Sequence, residues 1–379
     1  MVIRGGLRRI TTSLVSALTV TVVTLTFTQC TRSGHHTTVT PQSISSRVAA
    51  TPAGLTLDGH PWWPTGFNAY QLASNHALNP GCGATNDPEA YFASLPPHSL
   101  TRFNAFAALA VNVDTGRADF RAIDDVFAAA KRHDQFVVPV LAAGDGACEG
   151  DHFKDRDWFA SGWHSTPASL HQTFSQWVAT AVTRWRNEPT LAGWTLVGEP
   201  EPLICTSFDC GESARRCPDD ATAVLRRFVD TAGDELRRLD SQHPIWGGQT
   251  GGGQCGTAGD EYTTIAASPD MDVLEYHDYG ADGVPLPGDR YNGLARRIQQ
   301  AKEVAKPLVV AEIGENAGSC RSLQTRADNV RTKIIGQRQA GTDGALLWAW
   351  VPDPRPQDCT FDIGLGDPLY SVVADLAEP

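Results

Sequence analysis

Two glutamates, Glu199 and Glu312, each end an unbroken apolar run. Glu199 follows Gly193-Trp-Thr-Leu-Val-Gly198, and Glu312 follows Pro307-Leu-Val-Val-Ala311. A carboxyl at the end of a buried strand is held at the rim of its sheet, facing whatever cavity the rim encloses. The interval between the two has room for about three strand–helix units, so they can face each other across a closed sheet. Facing carboxyls of unlike protonation can cleave an acetal: one gives its proton to the leaving oxygen while the other attacks the anomeric carbon. Their mutual repulsion and unequal burial would drive the two pKa values apart. The competing reading is structural, since a buried Glu312 paired with Arg102 would satisfy its charge without chemistry.

Holding such a pair requires strands buried on both faces, and the chain supplies them in alternation with helices. The run Phe136-Val-Val-Pro-Val-Leu141 has strand length, and Leu170, Phe174, Trp177, Val178, Ala181, Val182 and Trp185 then recur at helical spacing. The cycle continues with a strand over 191–197 and a helix presenting Val224, Leu225, Phe228, Val229, Leu236 and Leu239 on one face. Strands are expected over 271–276, 307–313 and 345–350, with helices over 292–305 and 327–339 between them. Unbroken apolar strands alternating with helices specify an α/β fold with a parallel sheet. A doubly wound sheet for dinucleotides should carry G-x-G-x-x-G after its first strand, and none is present. The glycine-rich stretch 247–256 lacks a phosphate-loop lysine and reads as a loop, either beside the site or merely flexible. The expectation is a (β/α)8 TIM barrel forming a single catalytic domain.

With 379 residues, 41% of them hydrophobic, the chain can bury a substantial core. The formal charge of −12, with no Lys/Arg-rich run beyond the N-terminus, excludes nucleic acid as a partner. Arg4, Arg8 and Arg9 precede an uncharged Leu/Val/Thr-rich stretch over 14–27, the pattern of an export signal occupying 1–30. An uncleaved N-terminal membrane tether is the alternative. Cys30 stands where bacterial lipoproteins acylate a cysteine, although Gln29 departs from the small residue expected there; ordinary cleavage between 29 and 50 is the competing outcome. Residues 31–52, rich in Ser, Thr and Pro, read as a flexible spacer, and 53–379 as the folded domain. The protein is therefore expected to be exported, either secreted or associated with the cell envelope, and monomeric. Eight cysteines remain beyond Cys30, and in that setting they favour up to four disulfides of open connectivity. Zinc is the rival, but Cys205, Cys210 and Cys217 lack short Cys-x-x-Cys pairs.

Six segments in order resemble glycoside hydrolase family 5 and its clan of retaining (β/α)8 glycosidases. They are Thr65-Gly-Phe-Asn68, Thr101-Arg102-Phe-Asn104, Trp194-Thr-Leu-Val-Gly-Glu199-Pro200, Asp272-Val-Leu-Glu-Tyr-His277-Asp-Tyr279, Val310-Ala-Glu312-Ile-Gly314 and Leu346-Leu-Trp348-Ala-Trp350. The resemblance implies Glu199 as acid/base, Glu312 as nucleophile, Arg102 near the nucleophile and an eighth-strand Trp as sugar platform. It implies neither metal nor organic cofactor. Tyr279 is expected to orient Glu312, and His277 to contact the sugar or the acid/base. Asn68 is expected to touch substrate. Trp348 and Trp350 alternate, so on a strand they would share a face and offer an apolar plane to a sugar, with core packing as the alternative. Glu275 reads as structural, Trp62 and Trp63 as packing or rim residues, and Glu315 as lying past its strand end. Because Pro200 fixes the local backbone, only one of Glu199 and Glu201 should face the mouth.

The family acts on β-linked glycans, mostly β-1,4-glucan and mannan, and one branch resembles β-galactofuranosidases. The Asn that usually precedes the acid/base and contacts the sugar 2-hydroxyl is here Gly198. That departure, with a composition suggesting a GC-rich bacterial genome, ranks a β-D-galactofuranosidase acting on cell-wall galactan first. An endo-β-1,4-mannanase or glucanase comes second, and a non-catalytic glycan-binding barrel is the reading from another class. A lyase or aldolase would call for a metal cluster or a strand-end lysine, and the sequence shows neither.

Overall fold

The computed structural model of the chain describes residues 46–149, 153–165, 171–206 and 210–377. The expected export signal, Cys30 and most of the spacer lie outside the described residues. Eight strands form one parallel sheet: β1 (Thr65–Asn68), β2 (Leu100–Asn104), β3 (Phe136–Val140), β4 (Trp194–Thr195), β5 (Ile245–Trp246), β6 (Leu274–Asp278), β7 (Leu308–Ile313) and β8 (Ala345–Leu347). Their spatial order is β5-β4-β3-β2-β1-β8-β7-β6, and a parallel bridge between Trp246 and Val273 joins the two edges. The sheet is thus a closed (β/α)8 barrel, as expected.

Strands β3 and β7 are buried at every position, which is why they read as unbroken apolar runs. Alternate residues serve different layers. Leu100, Phe136, Val138, Val309 and Leu346 form a cluster separate from the one that packs Val137, Val140 and Val310 with the helices. The helices carry local start and stop signals. Thr173 and Gln176 form a reciprocal capping box at the start of Phe174–Trp185. Helix Leu323–Ala340 begins on Ser322, whose hydroxyl accepts from the Thr325 N–H, and ends on Gly341 at φ 102°.

One boundary expectation needs correction. The end of the expected spacer, Val48–Thr51, is a strand that pairs with Gly54–Leu57, which in turn pairs with His60–Pro61. Val48, Leu55, Leu57 and Trp62 belong to the same cluster as Leu100, Phe136 and Val138. Their apolar side chains thus extend the barrel's interior core, so the folded body begins before residue 53. Trp62 and Trp63 are both buried packing residues. The eighth strand is also shorter than expected, ending at Leu347 ahead of a cis peptide between Trp348 and Ala349.

All eight cysteines beyond Cys30 are paired, as Cys82–Cys148, Cys205–Cys210, Cys217–Cys255 and Cys320–Cys359. Each of them lies in a segment that follows a barrel strand. The cross-links therefore join or tighten the segments after β1, β3, β4, β5, β7 and β8, at the C-terminal rim where a barrel builds its site.

Candidate active site

A cavity of about 980 Å3 opens at that rim, lined by Arg102, Glu199, His277, Tyr279, Glu312 and Trp348 among others. Glu312 is the fifth residue of β7 and is almost fully buried. Its two oxygens are held separately: Arg102 Nη1 donates to Oε1 at 2.9 Å, and the Tyr279 hydroxyl donates to Oε2. Gly314 gives Tyr279 its place, because a Cβ there would lie 2.4 Å from the Tyr279 ring.

Glu199 lies beyond β4 in the left-handed region, at φ 53°. A non-glycine residue there costs about 1–2 kcal/mol, and such conformations gather at functional sites. Neighbouring strand ends hold the turn. The Glu199 N–H donates to Gly248 O at 2.9 Å, the Gly198 N–H donates to Ala142 O at 2.8 Å, and the Gly144 N–H donates to Gly198 O at 2.9 Å. The glycine-rich stretch 247–256 is therefore a loop that supports the site. Gly248 also donates its N–H to Glu275 Oε1 at 2.9 Å.

His277 joins the two glutamates. Its Nδ1 lies 2.7 Å from Glu199 Oε1 and 3.4 Å from Glu312 Oε2. An oxygen of each carboxyl and this nitrogen all fall within 4.8 Å of one another. Beneath them is Glu275, fully buried, with Oε2 at 3.6 Å from His277 Nε2 and 3.7 Å from Arg102 Nε. Those distances are too long for hydrogen bonds, so Glu275 acts on both cations through its charge. Glu275 and His277 lie two apart on β6 and so share a face, a signal present in the sequence that the structural reading of Glu275 did not use.

Burial alone would drive His277 toward neutrality. The Glu312 charge, the bond to Glu199 and the nearby Glu275 outweigh it and hold the imidazole pKa up at about 10. A proton therefore sits on Nδ1, which makes that nitrogen a donor to Glu199 rather than a lone pair for a cation. Burial also raises Glu199, but the bond and charge of His277, with help from Arg102, bring its carboxyl below the usual range. Burial pushes Glu312 upward, against His277 and Arg102. The two carboxyls are thus driven apart as expected, but the acid/base candidate is the one held low. The physical reason is the imidazolium, which keeps the proton one hydrogen bond away from Glu199.

Stability contributed by a group with a raised pKa is complete below its ordinary value, here 6.5, and is lost as pH rises through the folded value of about 10. The urea midpoint of the wild-type protein relative to His277→Gln is therefore expected to fall over that interval. A difference that stays flat would show that His277 is not held protonated by its neighbours.

The structure does not bring every expected residue to the cavity. Asn68 is buried, with its amide donating to Ala311 O at 2.7 Å and its oxygen accepting from Arg102 Nη1 at 3.0 Å. Both ends are occupied, so Asn68 positions Arg102 instead of meeting a ligand. Trp350 is 3% exposed and packs on Tyr91 with ring centroids 4.6 Å apart. The shared-face rule fails for it because the strand ends before Trp348. Trp348 does line the cavity, stacked on Tyr70 with centroids 5.3 Å apart and planes 10° from parallel. Tyr70 has no warning in the sequence, since it lies two residues beyond the end of β1. Glu201 also lines the cavity, contrary to the expectation that only one of the two glutamates would, and burial beside the Glu199 charge raises its carboxyl. Trp350→Ala is expected to cost about 3–5 kcal/mol in urea unfolding, as a large core truncation does. Trp348→Ala is expected to leave stability nearly unchanged and to weaken glycan binding. Equal stability losses in the two variants would refute this division.

No protein-family profile matches the sequence. Curated relatives are similar to it at low identity. A probable mannan endo-1,4-beta-mannosidase F of Aspergillus flavus is 22% identical over 256 residues, covering 63% of this chain and 49% of the relative. Mannan endo-1,4-beta-mannosidase 7 of Arabidopsis thaliana is 22% identical over 351 residues, covering 78% and 75%. The chain thus spans about half the length of the Aspergillus relative it matches. Among solved structures, the endo-1,4-beta-mannanase of Rhizomucor miehei superposes with a TM-score of 0.62 at 17% identity, over 86% of this chain and 97% of that one. A glycoside hydrolase family 5 mannosidase of the same organism gives 0.58 at 12% identity, over 88% and 96%. The barrel fold is therefore shared with both solved structures, the second of which is a mannosidase of the family that the sequence motifs resemble.

Proposed function

We propose that this protein is a retaining β-glycosidase of the endo-β-1,4-mannanase type. The observation that carries the reading is the approach of Glu199, beyond β4, and Glu312, near the end of β7, with an oxygen of each within 4.8 Å. Carboxyls about 5–5.5 Å apart suit double displacement, whereas inverting enzymes separate them by about 6.5–9.5 Å to admit a water.

In the first step Glu312 attacks the anomeric carbon, and the bond to the leaving oxygen breaks as that oxygen takes a proton from Glu199. The proton reaches Glu199 from His277 along their 2.7 Å contact. In the second step Glu199 removes a proton from water, the water oxygen bonds to the anomeric carbon, and Glu312 departs as a carboxylate. With Glu199, Glu275 and Glu312 ionised against Arg102 and protonated His277, the cluster is net negative, which favours the positive charge that develops on the sugar.

The similarity to mannan hydrolases favours β-1,4-mannan over the β-D-galactofuranoside that Gly198 suggested. The two are separated by comparing reducing-end release from β-1,4-mannan and β-1,4-glucan with hydrolysis of nitrophenyl β-D-galactofuranoside. NMR should show the β-anomer first. Activity confined to the furanoside would overturn the mannan reading, and the α-anomer as first product would overturn retention. Four disulfides support an oxidising, extracytoplasmic setting, in keeping with the export signal proposed for 1–30.

A further inference from the structure

We propose that Arg102 is itself a substrate-binding residue: its Nη2 group donates to the hydroxyl on the sugar carbon next to the anomeric carbon, through the space that Gly198 leaves open. The inference rests on the glycosidase reading of the same site. Three of the five N–H groups of the guanidinium are directed at neighbours, two on Nη1 and one on Nε. Nη1 is spent on Glu312 Oε1 and Asn68 Oδ1, Nε faces the Glu275 charge at 3.7 Å, and the side chain as a whole is 5% exposed. Nη2 has no hydrogen-bond partner among the described residues, yet Arg102 lines the cavity.

Gly198 lines the same cavity, and its geometry explains why the opening exists. A Cβ at 198 would lie 3.3 Å from Arg102 Nη2 and 3.3 Å from Val140 Cγ1. Both contacts are tight, so any side chain would wedge between the guanidinium and the ligand. The backbone at Gly198 does not need glycine for its own conformation, because its φ is not in the left-handed region. What glycine supplies is room.

Position completes the argument. One nitrogen of the guanidinium holds the oxygen of Glu312, and the other points toward the residue that precedes Glu199. A sugar whose anomeric carbon lies between the two carboxyls presents the hydroxyl of its adjoining carbon beside that line. A cationic donor buried among carboxylates is already oriented and desolvated, so its bond to a hydroxyl is stronger than a neutral one. This arrangement also gives Gly198 a role: the recognising side chain is supplied by β2, not by the residue before the acid/base.

The test compares kcat/KM for an aryl β-glycoside of the sugar the enzyme prefers and for its 2-deoxy analogue, in the wild type, in Arg102→Lys and in Gly198→Ala. Taking the ratio within each protein cancels any change in Glu312 positioning and the greater intrinsic reactivity of deoxy sugars. Losing a charged hydrogen bond corresponds to about 10–100-fold, so the ratio is expected to shrink by that factor in Arg102→Lys. It is expected to shrink also in Gly198→Ala, which keeps the arginine and obstructs its approach. Equal ratios in all three proteins would overturn the inference while leaving the glycosidase reading intact. Absence of turnover on every glycoside would remove that reading, and the inference with it.

Discussion

Glu312→Ala is expected to lower kcat on a β-glycoside by roughly 10⁴–10⁶-fold, the scale of losing a covalent nucleophile. The loss is that large because no other group can take its place. Glu315, the nearest acid in sequence, is buried beside Lys333 at 3.7 Å and accepts hydrogen bonds from the Gly283 N–H and the Asn329 amide. The variant also leaves Arg102 and Tyr279 as donors facing an anion-sized space. Added azide should therefore restore turnover: it bonds to the anomeric carbon from the vacated side while Glu199 protonates the leaving oxygen. The product is a glycosyl azide of inverted configuration, identifiable by NMR. In the wild type, a 2-fluoroglycoside should leave a covalent adduct on the peptide containing Glu312, visible by intact mass. Wild-type protein that binds glycan without turnover would favour the glycan-binding barrel, and an adduct on another peptide would reassign the nucleophile.

The parts of this site that were legible in the sequence are those that depend on strand periodicity. Parallel strands covered on both faces must be apolar throughout, so a glutamate interrupting such a run marks the strand end, and Glu199 and Glu312 declared themselves that way. His277 and Tyr279 were legible for the same reason, being spaced by two along β6 and just past it. Reading failed where regular structure stops. Trp350 was assigned to the face of Trp348 by alternation, but β8 has already ended at Leu347. Asn68 lies at a strand end and was expected to meet substrate, yet its two amide ends are consumed by Ala311 and Arg102, partners that no local pattern reveals. The strand at Val48–Thr51 was lost in Ser/Thr/Pro composition because only its pairing with Gly54–Leu57 makes it a strand. The protonation order was also illegible, since it depends on an imidazolium brought 2.7 Å from Glu199 by tertiary structure.

Glu199→Ala is expected to separate the two halves of the reaction. A natural glycan has an alkoxide leaving group that must be protonated, so its hydrolysis should fall by roughly 10²–10⁴-fold, the usual worth of a positioned general acid. A dinitrophenyl glycoside leaves without a proton, so its first step should be nearly unaffected. Its second step still needs a base to activate water, and the glycosyl-enzyme should therefore accumulate and give a burst of phenol followed by slow turnover. The pH profile supplies an independent check. In the wild type the transferable proton is shared by Glu199 and His277, whose pKa is held at about 10. Activity on the natural glycan should thus persist into alkaline solution and decline as that shared proton is lost, and the decline should vanish for the dinitrophenyl substrate in Glu199→Ala. Glu201 is the group that would break this prediction. It lines the same cavity with a carboxyl raised by burial, and it would be a ready acid if the leaving oxygen lay on its side. Equal losses on both substrates in Glu199→Ala, or the leaving-group dependence appearing in Glu201→Ala instead, would move the acid/base role two residues along the chain.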